Sequence, residues 1–341
     1  MTDRLADARR APATARPRIG FLGVGWIGYH RMRAMAEANT VDIAAVADPS
    51  AAMIAQATEF APGAKAMSSL DELLDEALDG VVIATPTALH AEQAIQALRR
   101  GKAVFCQKPL GRTASEVRAV IEAARSANRL LAVDLSYRFT EAMRQIGNLV
   151  RGGDLGHIYA VELTFHNAYG PDKPWFYDPK LSGGGCVIDL GVHLVDLALW
   201  ILDFPAVTRT SSRLFAQGEP LSACAGRAED YAFATLDLET GASVHLGCSW
   251  RFPAGQDAVI SAAFYGTRGG AALRNVNGSF YDFVAELYRG TAREILTVPP
   301  DAWFGRAAVE WASRLAAGNS FDPSAERFAD VAEVLDRIYG R

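Results

Sequence analysis

From Arg18 to about Asp134, short apolar runs alternate with stretches whose apolar residues recur at helical spacing. The runs Arg18–Leu22, Val41–Ala47, Val81–Ala84, Ala103–Cys106 and Leu130–Val133 are apolar on both faces, as parallel strands covered by helices on each side must be. Helices are expected around Tyr29–Ala38, Ala91–Arg100 and Ala114–Ala127. The last opens with Thr113-Ala114-Ser115-Glu116, a spacing that lets hydroxyl and carboxylate satisfy the bare amides of a helix start. This rhythm predicts a doubly wound α/β sheet over residues 18–138, a Rossmann nucleotide-binding domain.

After Arg138 the pattern changes. A helix over Glu141–Val150 leads to Gly152-Gly153 and the alternating run Ile158–Phe165. A loop with Pro171, Pro174 and Pro179 ends at Gly183-Gly184-Gly185, and an apolar helix follows through about Leu202. Strand-like runs come next at Arg209–Ala216, Asp230–Leu238, Ser243–Phe252, Val259–Tyr265 and Phe280–Tyr288, with turn residues such as Asn277-Gly278 between them. A last helix, Ala325–Tyr339, follows the start signal Asp322-Pro323-Ser324. Residues 139–341 thus predict an α+β domain with a large, mainly antiparallel sheet, and a ligand cleft between the two domains.

Composition changes this picture little. Of 341 residues, half are apolar and 21% charged, and the formal charge of −5 argues against a nucleic-acid binder, which would carry a basic stripe. No apolar run approaches the roughly 18 residues needed to cross a membrane. Residues 1–17 lack the apolar centre of a secretory signal and read as a disordered leader on a cytoplasmic protein. Cys106, Cys186, Cys224 and Cys248 show no paired spacing, which fits a reducing compartment and gives no zinc or disulfide framework. No metal site is expected.

Chemistry enters at Gly23-Val24-Gly25-Trp26-Ile27-Gly28, a G-x-G-x-x-G between a strand and a helix. Glycines there allow a tight turn, close approach of backbone to a diphosphate, and helix-on-strand packing, with the diphosphate on the helix N-terminus. Asp48 closes the next strand, placed to accept the adenosine ribose hydroxyls and to disfavour the extra phosphate of NADP, so NAD is expected over NADP. Thr85, Pro86 and Thr87, with His90 beyond them, follow another strand end on the sheet's carboxyl edge and suit the cofactor path. Gln107-Lys108-Pro109 sits at the same edge, the proline holding Lys108 extended. Downstream, Asp189 and His193 lie four apart and would share a helix face, with Gly183–Gly185 letting a substrate come close. A histidine titrates near neutrality and suits general acid–base work on a hydroxyl. Asp189 would orient the substrate or hold the imidazole, and Lys108 would stabilise alkoxide character at the reacting oxygen.

Taken in order, these segments make the chain resemble the Gfo/Idh/MocA oxidoreductases, which include glucose–fructose oxidoreductase and inositol dehydrogenase. The family's Glu-Lys-Pro lysine falls on Lys108 and its Asp-x-x-x-His pair on Asp189 and His193. The resemblance implies an NAD-dependent enzyme acting on a secondary hydroxyl, or the matching ketone, of a sugar, cyclitol or sugar-containing natural product. Other members imply alternatives: a ketosugar reductase, an NAD-dependent glycosidase or eliminase, or a non-catalytic nucleotide-sensing regulator. It also implies homodimers or homotetramers formed through the C-terminal sheet, and contacts to cofactor or substrate at Tyr137, Arg138 and Trp175. Two departures stand out. Gln107 replaces the usual glutamate, and Trp175-Phe176 lacks an arginine often found after that tryptophan.

Overall fold

A computed structural model of the chain describes residues 16–221 and 226–341, so most of the leader and Cys224 lie outside the described residues. The first sheet is built from β1 (Arg18–Leu22), β2 (Asp42–Ala47), β3 (Lys65–Met67), β4 (Gly80–Ile83), β5 (Ala103–Cys106) and β6 (Leu131–Val133). All its pairings are parallel, in the order β3-β2-β1-β4-β5-β6. Strand order reverses between β1 and β4, and the crevice at their carboxyl ends is where such sheets bind ligands. The expected strands hold to within a residue or so. Short β3 and the helix Leu70–Asp75 have too few residues for a clear period, and they and the helix Ala51–Phe60 carry no expectation.

A nine-stranded sheet follows: β7 (Ile158–Asn167), β8 (Val207–Ala216), β9 (Glu219–Pro220), β10 (Tyr231–Leu238), β11 (Ser243–Ser249), β12 (Ala258–Gly266), β13 (Gly269–Asn275), β14 (Phe283–Arg289) and β15 (Ala292–Thr297). Its order is β15-β14-β13-β12-β7-β11-β10-β8-β9. Every pairing is antiparallel except β7 with β11 at the centre. In β10 buried Ala232, Ala234, Leu236 and Leu238 alternate with partly exposed residues, so one face meets the core and the other is open. β13 reads Gly-Gly-Ala-Ala-Leu, weak in strand propensity, and becomes a strand only through its neighbours on both sides.

One helix crosses between the halves. Arg306–Ala316 packs Ala307, Ala308, Trp311 and Ala312 against Ile19, Phe21, Val82 and Phe105 of the parallel sheet. Gly80 exists to admit it, since a Cβ there would meet the Trp311 ring at 2.8 Å.

The segment Pro179–Ile201 corrects the reading that no run is apolar enough to span a membrane. It is 23 residues long with a mean hydropathy of 1.6, and 89% of its most apolar window is buried inside the protein. Its apolarity on all sides is that of a core helix. The helix is interrupted: a π-turn covers Val187–Gly191 and the α-helix proper is Val192–Ile201. Cys186 and Cys248, unpaired in sequence spacing, come together here as free thiols with sulfurs 3.9 Å apart.

Candidate active site

The glycine loop divides its labour as its spacing predicts. Gly23 has φ +85°, and a Cβ on it would lie 2.6 Å from the Ala84 carbonyl; a Cβ on Gly28 would lie 2.1 Å from the Gly23 carbonyl. Gly25 has open space around its missing Cβ, and no side chain caps the helix Trp26–Glu37 that starts beside it. Bare helix N-terminal amides facing an open cradle fit a diphosphate. Asp48 supports this loop: its Oδ2 accepts from the Val24 amide and its Oδ1 from the Ser50 amide, both at 2.8 Å.

Beside the loop lies a cleft of about 490 Å³ bounded by both halves of the chain. Of the residues singled out in the sequence, Gly25, Trp26, Ile27, Thr85, Pro86, Thr87, His90, Gln107, Lys108, Tyr137, Trp175, Asp189 and His193 line it. Gly23, Gly28, Asp48 and Arg138 do not.

Lys108 and Asp189 form its polar centre. The Lys108 ammonium donates to Asp189 Oδ1 at 2.6 Å and to the Asp189 carbonyl at 2.8 Å, which leaves one of its three N–H groups for a ligand. Asp189 Oδ2 accepts from the Trp250 indole at 3.0 Å. The aspartate therefore holds the lysine, which corrects one of its two expected roles, holding the imidazole. The π-turn is the reason: Asp189 lies within it and His193 in the α-helix beyond, so i→i+5 bonding rotates Asp189 off the face a continuous α-helix would give it. His193 instead meets Tyr137 edge-on, ring centroids 4.8 Å apart, and makes no hydrogen bond among the described residues. Burial, then Lys108 and Arg31, hold its pKa well below 6.5, so it is neutral at pH 7.

His90 braces the site. Its Nδ1 lies 2.7 Å from the Pro109 carbonyl and its Nε2 2.7 Å from the Thr85 carbonyl, tying together the loops after β4 and β5. Both ring nitrogens are spent on backbone, so the cofactor role expected for His90 becomes one of holding loops. Thr85 is similarly engaged, 2.6 Å from Gln93.

Arg138 is a correction. It pairs with buried Asp196 through Nε at 2.8 Å and through Nη2, its guanidinium near Trp200 and Phe204, and it takes no part in the cleft. The three glycines before this helix serve packing, not substrate approach. A Cβ on Gly184 would strike the Tyr339 hydroxyl and one on Gly185 the Glu229 backbone. The Glu229 carboxylate accepts from the Gly185 and Val187 amides and from Tyr339, fixing the start of this helix.

Several lining residues were not singled out in the sequence. Arg31 and Asp134, each 1% exposed, form an ion pair at 2.5 Å under the cleft. Gln107 donates its amide to the same Asp134 oxygen, so a carboxylate is present beside Gln107 although residue 107 carries none. Arg31 also lies over the Phe304 ring at 4.1 Å. Phe165, Phe176, Tyr281, Trp303 and Phe304 complete an aromatic wall from distant strands and loops. Nothing in their spacing marks them, since they converge only through the second sheet.

Comparison with known proteins bears on this arrangement. The family description "Oxidoreductase family, NAD-binding Rossmann fold" matches residues 17–135, and "GFO/IDH/MocA C-terminal domain" matches residues 143–272. The rhizopine catabolism protein MocA of Rhizobium meliloti is 33% identical over 264 residues, 75% of this chain and 78% of that protein. Inositol 2-dehydrogenase of Rhizobium meliloti (strain 1021) is 28% identical over 323 residues, 92% of this chain and 90% of its own length. The structure of levoglucosan dehydrogenase in complex with NADH and levoglucosan superposes with a TM-score of 0.81 at 22% identity, covering 95% of this chain and 96% of that one, and so shares the fold. The chain belongs to the GFO/IDH/MocA family of oxidoreductases, with the NAD-binding Rossmann fold of that family at its N-terminal end.

Proposed function

We propose that this enzyme oxidises a secondary hydroxyl of a sugar, cyclitol or sugar-containing natural product with NAD, using His193 as the base. The observation that carries the reading is His193 itself. It has no protein hydrogen-bond partner among the described residues and lines the same cleft as the Lys108–Asp189 pair and the open glycine loop, with burial, Lys108 and Arg31 lowering its pKa.

NAD, held by Gly25, the amides of Trp26 and Ile27, and Asp48, supplies the hydride acceptor when bound. His193 takes the hydroxyl proton. Lys108 turns its remaining N–H toward the same oxygen and stabilises the negative charge developing there. Asp189 and Trp250 keep the ammonium in place. Aromatic walls at Trp175, Phe176, Tyr281 and Trp303 suit the apolar C–H faces of a polyhydroxylated ring and limit water in the cleft.

The name of inositol 2-dehydrogenase and the levoglucosan in the structural relative support a cyclic polyol substrate. We further take the open face of the nine-stranded sheet, with Tyr159 and Phe233 exposed on it, as the surface joining copies of this chain, and place the enzyme in the cytoplasm. A panel of sugars, cyclitols and glycosides is incubated with NAD at alkaline pH, and reduced nicotinamide is followed by absorbance. Net NADH formation with a polyol supports dehydrogenation. Product formation with no net NADH would instead assign transient oxidation, as in an eliminase.

A further inference from the structure

The ion pair under the cleft leaves unmet bonding capacity of a particular kind. Gln107 and Arg31 both donate to Asp134 Oδ2, and Asp134 Oδ1 is buried with no donor among the described residues. The guanidinium has five N–H groups; among the described residues it spends only Nε, and its buried Nη1 has no acceptor. Buried polar atoms in native structures nearly always find partners, so two bare ones from residues lining a single cleft call for a ligand. Charge narrows the choice. Arg31 and Asp134 neutralise each other, so neither an anion nor a cation is needed. What is missing is a neutral group offering one acceptor and one donor, which is the description of a primary carboxamide. Position narrows it further. The three residues come from the helix after the glycine loop and from the ends of β5 and β6, all in the nucleotide-binding half, and they line the same cleft as Gly25 and Lys108.

We propose that Arg31 and Asp134 bind the carboxamide of the nicotinamide ring: an Arg31 N–H donates to its carbonyl oxygen and its NH2 donates to Asp134 Oδ1. Gln107 contributes by occupying Oδ2, which a glutamate could not do without placing two carboxylates together. Gripping the amide at both ends fixes which face of the ring is turned toward His193 and Lys108. The inference rests on NAD occupying the cleft.

The test measures binding to the full-length protein by calorimetry, with no turnover required. The probes are NAD, its 3-acetylpyridine analogue (which keeps the carbonyl and replaces NH2 with methyl) and ADP-ribose, which lacks the ring. Wild type should bind the acetylpyridine analogue roughly ten- to hundredfold more weakly than NAD, because Asp134 Oδ1 is left buried and bare. Asp134→Asn keeps the volume but turns an NH2 toward the ligand, and should bring the two affinities within about threefold. Since the readout is a ratio on folded protein, lowered stability of the variant does not affect it. Equal binding of NAD and the analogue by wild type overturns the proposal, as does a ratio that Asp134→Asn leaves unchanged. ADP-ribose separates the two levels: if it binds while the ratio fails, the carboxamide assignment is wrong and the cofactor reading stands. If neither it nor NAD binds, the cofactor reading itself fails.

Discussion

Arg138→Leu tests whether that arginine holds the fold or the substrate. Its partner Asp196 is 1% exposed and receives two guanidinium nitrogens, while the Arg138 side chain is 17% exposed, so solvent screens the pair little. Removing one member of such a pair leaves a buried, uncompensated carboxylate and costs about 3–5 kcal/mol. At roughly 2 °C per kcal/mol for a chain of this size, Tm should fall by about 6–10 °C. The pH dependence follows from Asp196. Burial already raises its pKa above the usual 3.8, against the opposing effects of Arg138, and the variant loses those opposing effects. A carboxyl whose folded pKa lies above its unfolded value contributes stability at low pH and loses it as pH rises through the folded value. The Tm deficit should therefore be larger at pH 8 than at pH 5. Thermal unfolding at both pH values, with substrate KM and NADH affinity measured at 20 °C, reads both roles. A Tm within 2 °C of wild type together with a tenfold rise in KM would refute the ion-pair assignment and return Arg138 to the substrate site.

His193→Asn should lower kcat by roughly two to four orders of magnitude with NADH affinity unchanged, checked by steady-state kinetics and fluorescence titration. Because burial, Lys108 and Arg31 hold the imidazole pKa well below 6.5, the acid limb of kcat/KM for alcohol oxidation should fall below pH 6.5; a limb at or above it contradicts the environment described. Gly25→Ala should leave Tm unchanged and weaken NADH binding, since nothing among the described residues lies within 4 Å of the new Cβ, whereas Gly23→Ala should lower Tm through φ +85° and the 2.6 Å contact with Ala84. Wild type should bind NAD more tightly than NADP, and Asp48→Ala should narrow the difference, compared by calorimetry; tighter NADP binding by wild type would overturn the role given to Asp48.

The nucleotide half was legible in the sequence because its chemistry is local. The turn at Gly23 and the helix-on-strand packing at Gly28 are set within six residues, and buried parallel strands show themselves as short apolar runs wherever they sit in the sheet. Lys108, Asp189 and His193 were likewise legible as members of short motifs. Their partnerships were not. Spacing put Asp189 beside His193, but the π-turn that holds Asp189 and the indole of Trp250, just past the end of β11, gave the carboxylate to Lys108 instead. Arg138 read as a ligand contact until buried Asp196, 58 residues away, claimed it. Arg31 and Asp134, 103 residues apart, look in sequence like a helix-surface charge and a strand-end turn residue. Local pattern reports which backbone a segment can form and which face it must bury. Whether a charged side chain inside that backbone meets solvent, a ligand or an opposite charge depends on which distant strand the sheet order brings beside it, and only the tertiary structure decides that.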